Sequence, residues 1–107
     1  MMVKTCEPSR LIAHRGYARR YPENSILGIR AAIDAGARWI EVDVKMIADS
    51  VLVLHHDADL TDTAGTEEVV MDLNLVQLRE LSFNERQRFG DAFTNGTIAT
   101  VTDLVTL

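Results

Sequence analysis

Cysteine is almost missing from this chain. Cys6 is the one cysteine among 107 residues, which excludes an intrachain disulfide and a cysteine-only metal site, and it reads as a terminal bystander. Proline and glycine are also scarce, at two and six residues, while 47% of the chain is hydrophobic; that balance argues against disorder, collagen-like repeats and low-complexity tails. No internal repeat or linker is visible. A chain of this length can bury roughly 65% of its unfolded surface, so one domain is the ceiling. No apolar run is long enough to span a bilayer, and Met1 to Arg10 lacks the unbroken apolar stretch of a secretory signal. A soluble, cytoplasmic protein is the expectation.

Basic charge is in deficit too. Eleven Lys and Arg face sixteen Asp and Glu, for a formal charge of −5, which speaks against nucleic acid as a partner because a polyanion needs a basic footprint. The deficit is uneven: residues 1–45 hold eight basic and five acidic side chains, residues 46–107 three basic and eleven acidic. Arg15, Arg19 and Arg20 cluster beside a predicted strand end, a composition suited to a small anionic ligand and equally to a solvated loop.

What is present is an alternation of strand and helix signals. Residues 10–14 read as a strand feeding a loop at Gly16 and Pro22, and residues 25–35 as a helix capped by Asn24 or Ser25 and stopped by Gly36. Residues 39–46 alternate as a strand, and residues 51–56 read as a buried one. Their connection is too short for a parallel crossover, so they are expected to form an antiparallel hairpin turning at Asp49-Ser50. Residues 59–68 look polar and turn-like around Gly65. Residues 73–81 suggest a short helix capped by Asp72 or Asn74, and residues 82–97 carry no signal. Residues 98–101 read as extended, with Thr102 capping an apolar helix that the chain enters for barely one turn, as a truncated chain would.

The chemistry gathers on the second strand. Glu41 and Asp43, two residues apart, project from one face with Trp39, while Ile40, Val42 and Val44 take the other. Such a carboxylate pair suits a hard divalent cation, Mg²⁺ or Ca²⁺, although a half-exposed strand edge shows the same spacing. A two-residue turn would set Asp43 opposite His56; a turn one residue longer would bring His55 to the carboxylates instead. Spacing leaves the two histidines as rivals. His14, at the end of the first strand, supplies a further imidazole, and Arg15 beside it can fork onto two phosphate oxygens.

His14-Arg15-Gly16, Pro22-Glu23-Asn24-Ser25, Ile40-Glu41-Val42-Asp43-Val44 and His56-Asp57 with Leu60 follow one another at intervals that resemble the glycerophosphodiester phosphodiesterase family. The likeness extends through Gly36-Ala37, Asp49 and Ile98-Ala99-Thr100-Val101, over about residues 11–107. It implies an α/β fold: the N-terminal part of a TIM-like (β/α)8 barrel of the PLC-like phosphodiesterase type, incomplete here, with residues 1–107 forming a single partial domain. It implies metal-dependent hydrolysis of a small glycerophosphodiester to glycerol 3-phosphate and an alcohol. Carried over by position, His14 and His56 are the acid/base pair, Arg15 a phosphate clamp, Glu23 its support, and Glu41 and Asp43 the metal ligands. The preference for His56 over His55 rests on the His-Asp motif and accords with the two-residue turn.

The chain departs from the family pattern at Asp62-Thr63-Ala64, where Arg-Thr-Thr is usual, and at Ser25, where Thr is usual. The family's third acidic ligand and nearby lysine are expected beyond residue 107. Two other readings remain: a non-catalytic fragment that binds a partner or self-associates through exposed barrel edges, and a phospholipase D-like enzyme acting on lysophospholipids.

Overall fold

The computed structural model describes residues 1–4 and 12–107. The first two positions of the predicted strand at 10–14, and Cys6, lie outside them; the rest of that strand is present as β2 (Ile12–His14). An unforeseen strand, β1 (Met2–Lys4), pairs antiparallel with β3 (Trp39–Glu41), and β2 pairs parallel with the opposite edge of β3. A parallel pair needs a crossover. α1 (Ile26–Asp34) supplies it, burying Gly28, Ile29 and Ala32. Ser25 caps this helix: its Oγ accepts from the Gly28 N–H at 3.0 Å and donates to the Pro22 carbonyl at 2.6 Å.

The predicted strand at 39–46 is broken in two. Val42 still bonds to the N-terminal residue, but the Asp43 N–H turns aside to the Asn24 side chain, and pairing resumes in a separate sheet of β4 (Val44–Met46) and β5 (Leu52–Leu54). Ile40 and Val42 are buried as expected, whereas Val44, beyond the break, is exposed. β4 and β5 form the expected antiparallel hairpin in a different register, with Val44 opposite Leu54 and Met46 opposite Leu52. The loop has three residues, Ala48 to Ser50, because Ile47 still pairs with Val51 and Ser50 closes the turn at φ 64°. Asp43 is consequently opposite His55, whose N–H donates to the Asp43 carbonyl at 2.9 Å, and the expected opposition of Asp43 and His56 is displaced by one residue.

The segment expected to be a polar turn at 59–68 is more ordered than its composition suggests. β6 (Asp59–Leu60) and β7 (Thr66–Val69) pair antiparallel around a single turn, α2 (Thr61–Ala64), which Gly65 ends at φ 74°. A 3₁₀ turn at Val70–Asp72 leads to α3 (Leu75–Arg79), whose cap is Asn74 in a reciprocal box with Gln77. The segment without a sequence signal contains α4 (Arg86–Phe89). The cap of α5 (Val101–Val105) is Thr100, two residues before the expected one, since Thr100 Oγ1 accepts from the Asp103 N–H at 3.0 Å while Asp103 accepts from the Thr100 N–H at 2.9 Å. The predicted extended run at 98–101 is reduced to a bridge between Thr100 and Val53.

Two apolar clusters meet at β5. Val53 packs with Ile47, Leu60, Val70, Leu78, Phe83 and Ile98, and its neighbour Leu54 packs with Ile29, Ile40, Val42, Ala99 and Leu104. A strand buried on both faces reads as a continuous apolar run, which is why Val51 to Leu54 does not alternate. Leu54 is 2% exposed and Leu52 41%. Leu54→Ala is therefore expected to cost ~2–5 kcal/mol in a urea unfolding titration and Leu52→Ala under ~1 kcal/mol. Equal losses would contradict the two-sided burial of β5.

Candidate active site

The parallel register of β2 and β3 sets His14 beside Glu41, with His14 Nε2 3.7 Å from Glu41 Oε1. The Arg15 N–H extends that ladder to the Glu41 carbonyl at 2.6 Å, and the chain then leaves the strand through two left-handed residues, Arg15 at φ 57° and Gly16 at φ 80°. Gly16 is obligatory here: a Cβ would meet the Ile29 nitrogen at 3.0 Å and the Gly28 carbonyl carbon at 3.1 Å, both backbone atoms of α1. This tight packing fixes where Arg15 points.

Arg15 sits among carboxylates. Its Nη1 donates to Glu23 Oε2 at 3.0 Å, and its Nε lies 3.2 Å from Asp43 Oδ2 without hydrogen-bond alignment. Burial lowers the Arg15 pKa, but the hydrogen bond and charge of Glu23 and the charges of Asp43 and Glu41 outweigh it and hold the value above the ordinary one. Asn24, buried and at φ 55°, grips Asp43 from both ends of its amide: Nδ2 donates to Asp43 Oδ2 at 3.2 Å and Oδ1 accepts from the Asp43 N–H at 3.1 Å. The sequence marks Asn24 as a candidate cap and as a member of the Pro22–Ser25 motif, without a role of its own; Ser25 takes the cap and frees Asn24 to position the carboxylate.

The two neighbouring histidines differ sharply. His56 is exposed, and its Nδ1 lies 2.8 Å from Asp57 Oδ1. A carboxylate only accepts, so Nδ1 carries the proton and Nε2 is left free. His55 is 2% exposed, with Nδ1 2.8 Å from the Asp57 carbonyl and Nε2 2.8 Å from Thr63 Oγ1. The carbonyl accepts from Nδ1, so Nε2 accepts from the threonine hydroxyl. His55 therefore braces the Asp57 turn from below while His56 looks outward. The strand ends at Leu54, so His56 reaches the site through the turn that follows β5 and not through the hairpin register.

His14, Arg15, Glu23 and His56 line one cavity of about 510 Å³ together with Asp57, Asp62, Glu85 and Arg88. Glu41 and Asp43 stand behind this wall, against His14 and Arg15. Among the described residues, no group of three or more His, Cys, Asp or Glu side chains is arranged to hold a metal ion. Glu41 Oε1 is nonetheless buried without a hydrogen-bond partner, and with Asp43 it offers the hard oxygen donors that Mg²⁺ or Ca²⁺ takes, so the pair fits as part of a ligand set. Asp62 borders the cavity.

Glu85 and Arg88 escaped the sequence reading. Glu85 is buried, adopts φ 43°, and accepts from the Glu23 N–H; Arg88 forks onto Glu85 with Nε to Oε1 at 2.8 Å and Nη2 to Oε2 at 3.0 Å. No periodic pattern surrounds them. The only cue is an acidic residue three positions before an arginine, which many exposed helices share.

Burial holds His55 below the ordinary histidine value of 6.5, opposed only in part by its bond to the Asp57 carbonyl and by the Asp57 charge. The unfolded chain thus binds more protons than the folded chain between the depressed folded value and 6.5, so stability rises with pH across that window and is lost on acidification through it. Urea titrations between about pH 7.5 and pH 5.5 should show a steeper loss for the wild type than for His55→Gln. Parallel losses would contradict the burial assignment.

Comparison with known proteins places the chain in a family. The model of the glycerophosphoryl diester phosphodiesterase family matches residues 14–107. A glycerophosphodiester phosphodiesterase of Caldanaerobacter subterraneus is 34% identical over 97 residues, covering 91% of this chain and 39% of that protein. Glycerophosphodiester phosphodiesterase 1 of Bos taurus is 35% identical over 94 residues, covering 88% and 28%. Among solved structures, an Oleispira antarctica phosphodiesterase in complex with the product sn-glycerol-3-phosphate has a TM-score of 0.84 at 28% identity, covering 92% of this chain and 39% of that one. The glycerophosphodiester phosphodiesterase from Agrobacterium tumefaciens gives 0.82 at 28% identity, covering 92% and 42%. The chain spans less than half the length of each of these relatives, and its α/β fold is the N-terminal part of their TIM-like barrel. On the match of the family model over most of its length, the chain belongs to the glycerophosphoryl diester phosphodiesterase family.

Proposed function

We propose that this chain carries one wall of an active site that hydrolyses a glycerophosphodiester to glycerol 3-phosphate and an alcohol. The observation that carries the reading is the convergence of two imidazoles, His14 and His56, with the carboxylate-held Arg15 on one cavity. The bound product in the Oleispira antarctica neighbour supports the substrate class.

Arg15 contacts the phosphoryl group. Its Nη1 is engaged by Glu23 and its Nε faces Asp43, so the guanidinium plane is fixed before any ligand arrives, and its remaining N–H groups meet the negative charge that grows on the phosphoryl oxygens. The histidines divide the proton transfers: one takes the proton of the nucleophile, either water or a substrate hydroxyl whose cyclic product a water then opens, as the new P–O bond forms, and the other protonates the departing alkoxide as its P–O bond breaks. Asp57 keeps His56 in the tautomer whose Nε2 can accept a proton, and Glu41 Oε1 stands 3.7 Å from His14 Nε2. Glu23, Glu41 and Asp43 around one guanidinium leave a formal excess of negative charge, which a divalent cation on Glu41 and Asp43 would offset while polarising a phosphoryl oxygen.

In a chain extended with the rest of the barrel, turnover of a glycerophosphodiester, read as released glycerol 3-phosphate, is expected to fall ~10²–10⁴-fold in His14→Ala and in His56→Ala. Wild-type turnover in both variants would overturn the assignment.

A further inference from the structure

The Arg15–Glu23 pair does not hold itself in place. Glu23 lies at the end of a loop, 17–23, whose first residue is tied to α1 by its N–H to the Gly28 carbonyl. Two side chains from a distant segment fasten that loop. Glu85 Oε2 accepts from the Glu23 N–H, and Arg88 donates from Nη1 to the Ala18 carbonyl at 2.6 Å and from Nη2 to the Tyr21 carbonyl at 3.3 Å. The two are forked onto each other, which neutralises the buried Glu85 and keeps both donors of Arg88 aimed at the loop. Glu85 is anchored in turn, since its N–H donates to the Thr63 carbonyl at 3.1 Å. Thr63 is also the residue whose hydroxyl meets His55.

The left-handed backbone of Glu85 points the same way. A non-glycine residue at φ 43° is strained and persists only where its surroundings impose it. Here the strained residue is the one whose carboxylate reaches Glu23. We propose that Glu85, with Arg88, is a positioning residue for the site: it fixes the Glu23 backbone, through Glu23 the plane of the Arg15 guanidinium, and thereby the affinity of the cavity for a phosphoryl group. This rests on the reading of Arg15 as the phosphate contact.

The test uses the 107-residue chain with Glu85→Gln, Glu85→Ala and Arg88→Lys, measuring inorganic phosphate affinity by calorimetry and exchange of the Glu23 amide by NMR. Glu85→Ala should weaken phosphate binding about tenfold and speed Glu23 exchange by a similar factor. Glu85→Gln keeps an acceptor for the Glu23 N–H and should recover most of the loss. Arg88→Lys retains the charge without the fork and should reproduce much of the Glu85→Ala effect even if Glu85→Ala does not fold. A folded Glu85→Ala with wild-type phosphate affinity and wild-type Glu23 exchange would overturn the proposal. Absence of phosphate binding by the wild type would refute the phosphate role of Arg15, and with it the affinity claim, while Glu23 exchange would still report whether the clasp exists.

Discussion

One guanidinium organises this site. Arg15 is the cation on which Glu23 and Asp43 converge directly and Glu41 through its charge, and without it three carboxylates from two parts of the chain would repel one another. Its position is decided by backbone and not by side-chain choice. The left-handed pair Arg15-Gly16 turns the chain out of β2, and the absence of a Cβ at Gly16 lets that turn press on α1. The same helix starts at Ser25, immediately after Asn24, which grips Asp43. Strand end, helix start and strand break therefore share one network, and its geometry follows from packing α1 against the sheet.

That network also explains why the site is partly buried without being sealed. The buried clusters on either side of β5 provide a rigid floor, and His55 belongs to that floor although it is polar, because its two ring nitrogens are both satisfied. His56, one residue on, is outside it. Adjacent residues of one chemical type thus take opposite roles, one bracing the turn and the other presenting an imidazole to the cavity.

Much of this was legible in the residues. A cap at Asn24 or Ser25 and the stop at Gly36 marked α1, the short link between two apolar runs required a hairpin, and four motifs in order pointed to the family. What escaped depended on distance along the chain or on conformations with weak sequence signals. The break after Val42 arises because Asn24, nineteen residues earlier, claims the Asp43 N–H. The hairpin register turned on Ser50 adopting a positive φ, which serine does not announce as glycine would. β1 pairs with β3 across a long separation, and Glu85 acts from a segment with no periodicity. His56 borders the cavity and His55 lies buried behind it, while the two-residue turn that accompanied the preference for His56 does not hold.

The central claim is that His14, Arg15, Glu23 and His56 form one phosphoryl-binding surface. The most direct measurement is a titration of the chain with sn-glycerol 3-phosphate followed by NMR at the histidine rings and the Arg15 Nε–H. The account predicts saturable shifts of His14, His56 and Arg15 together, no comparable shift of the buried His55 ring, and an affinity about tenfold weaker in Arg15→Lys, which keeps the charge but loses the fork. Absence of any saturable shift at these three residues, or equal affinity in Arg15→Lys, would contradict it.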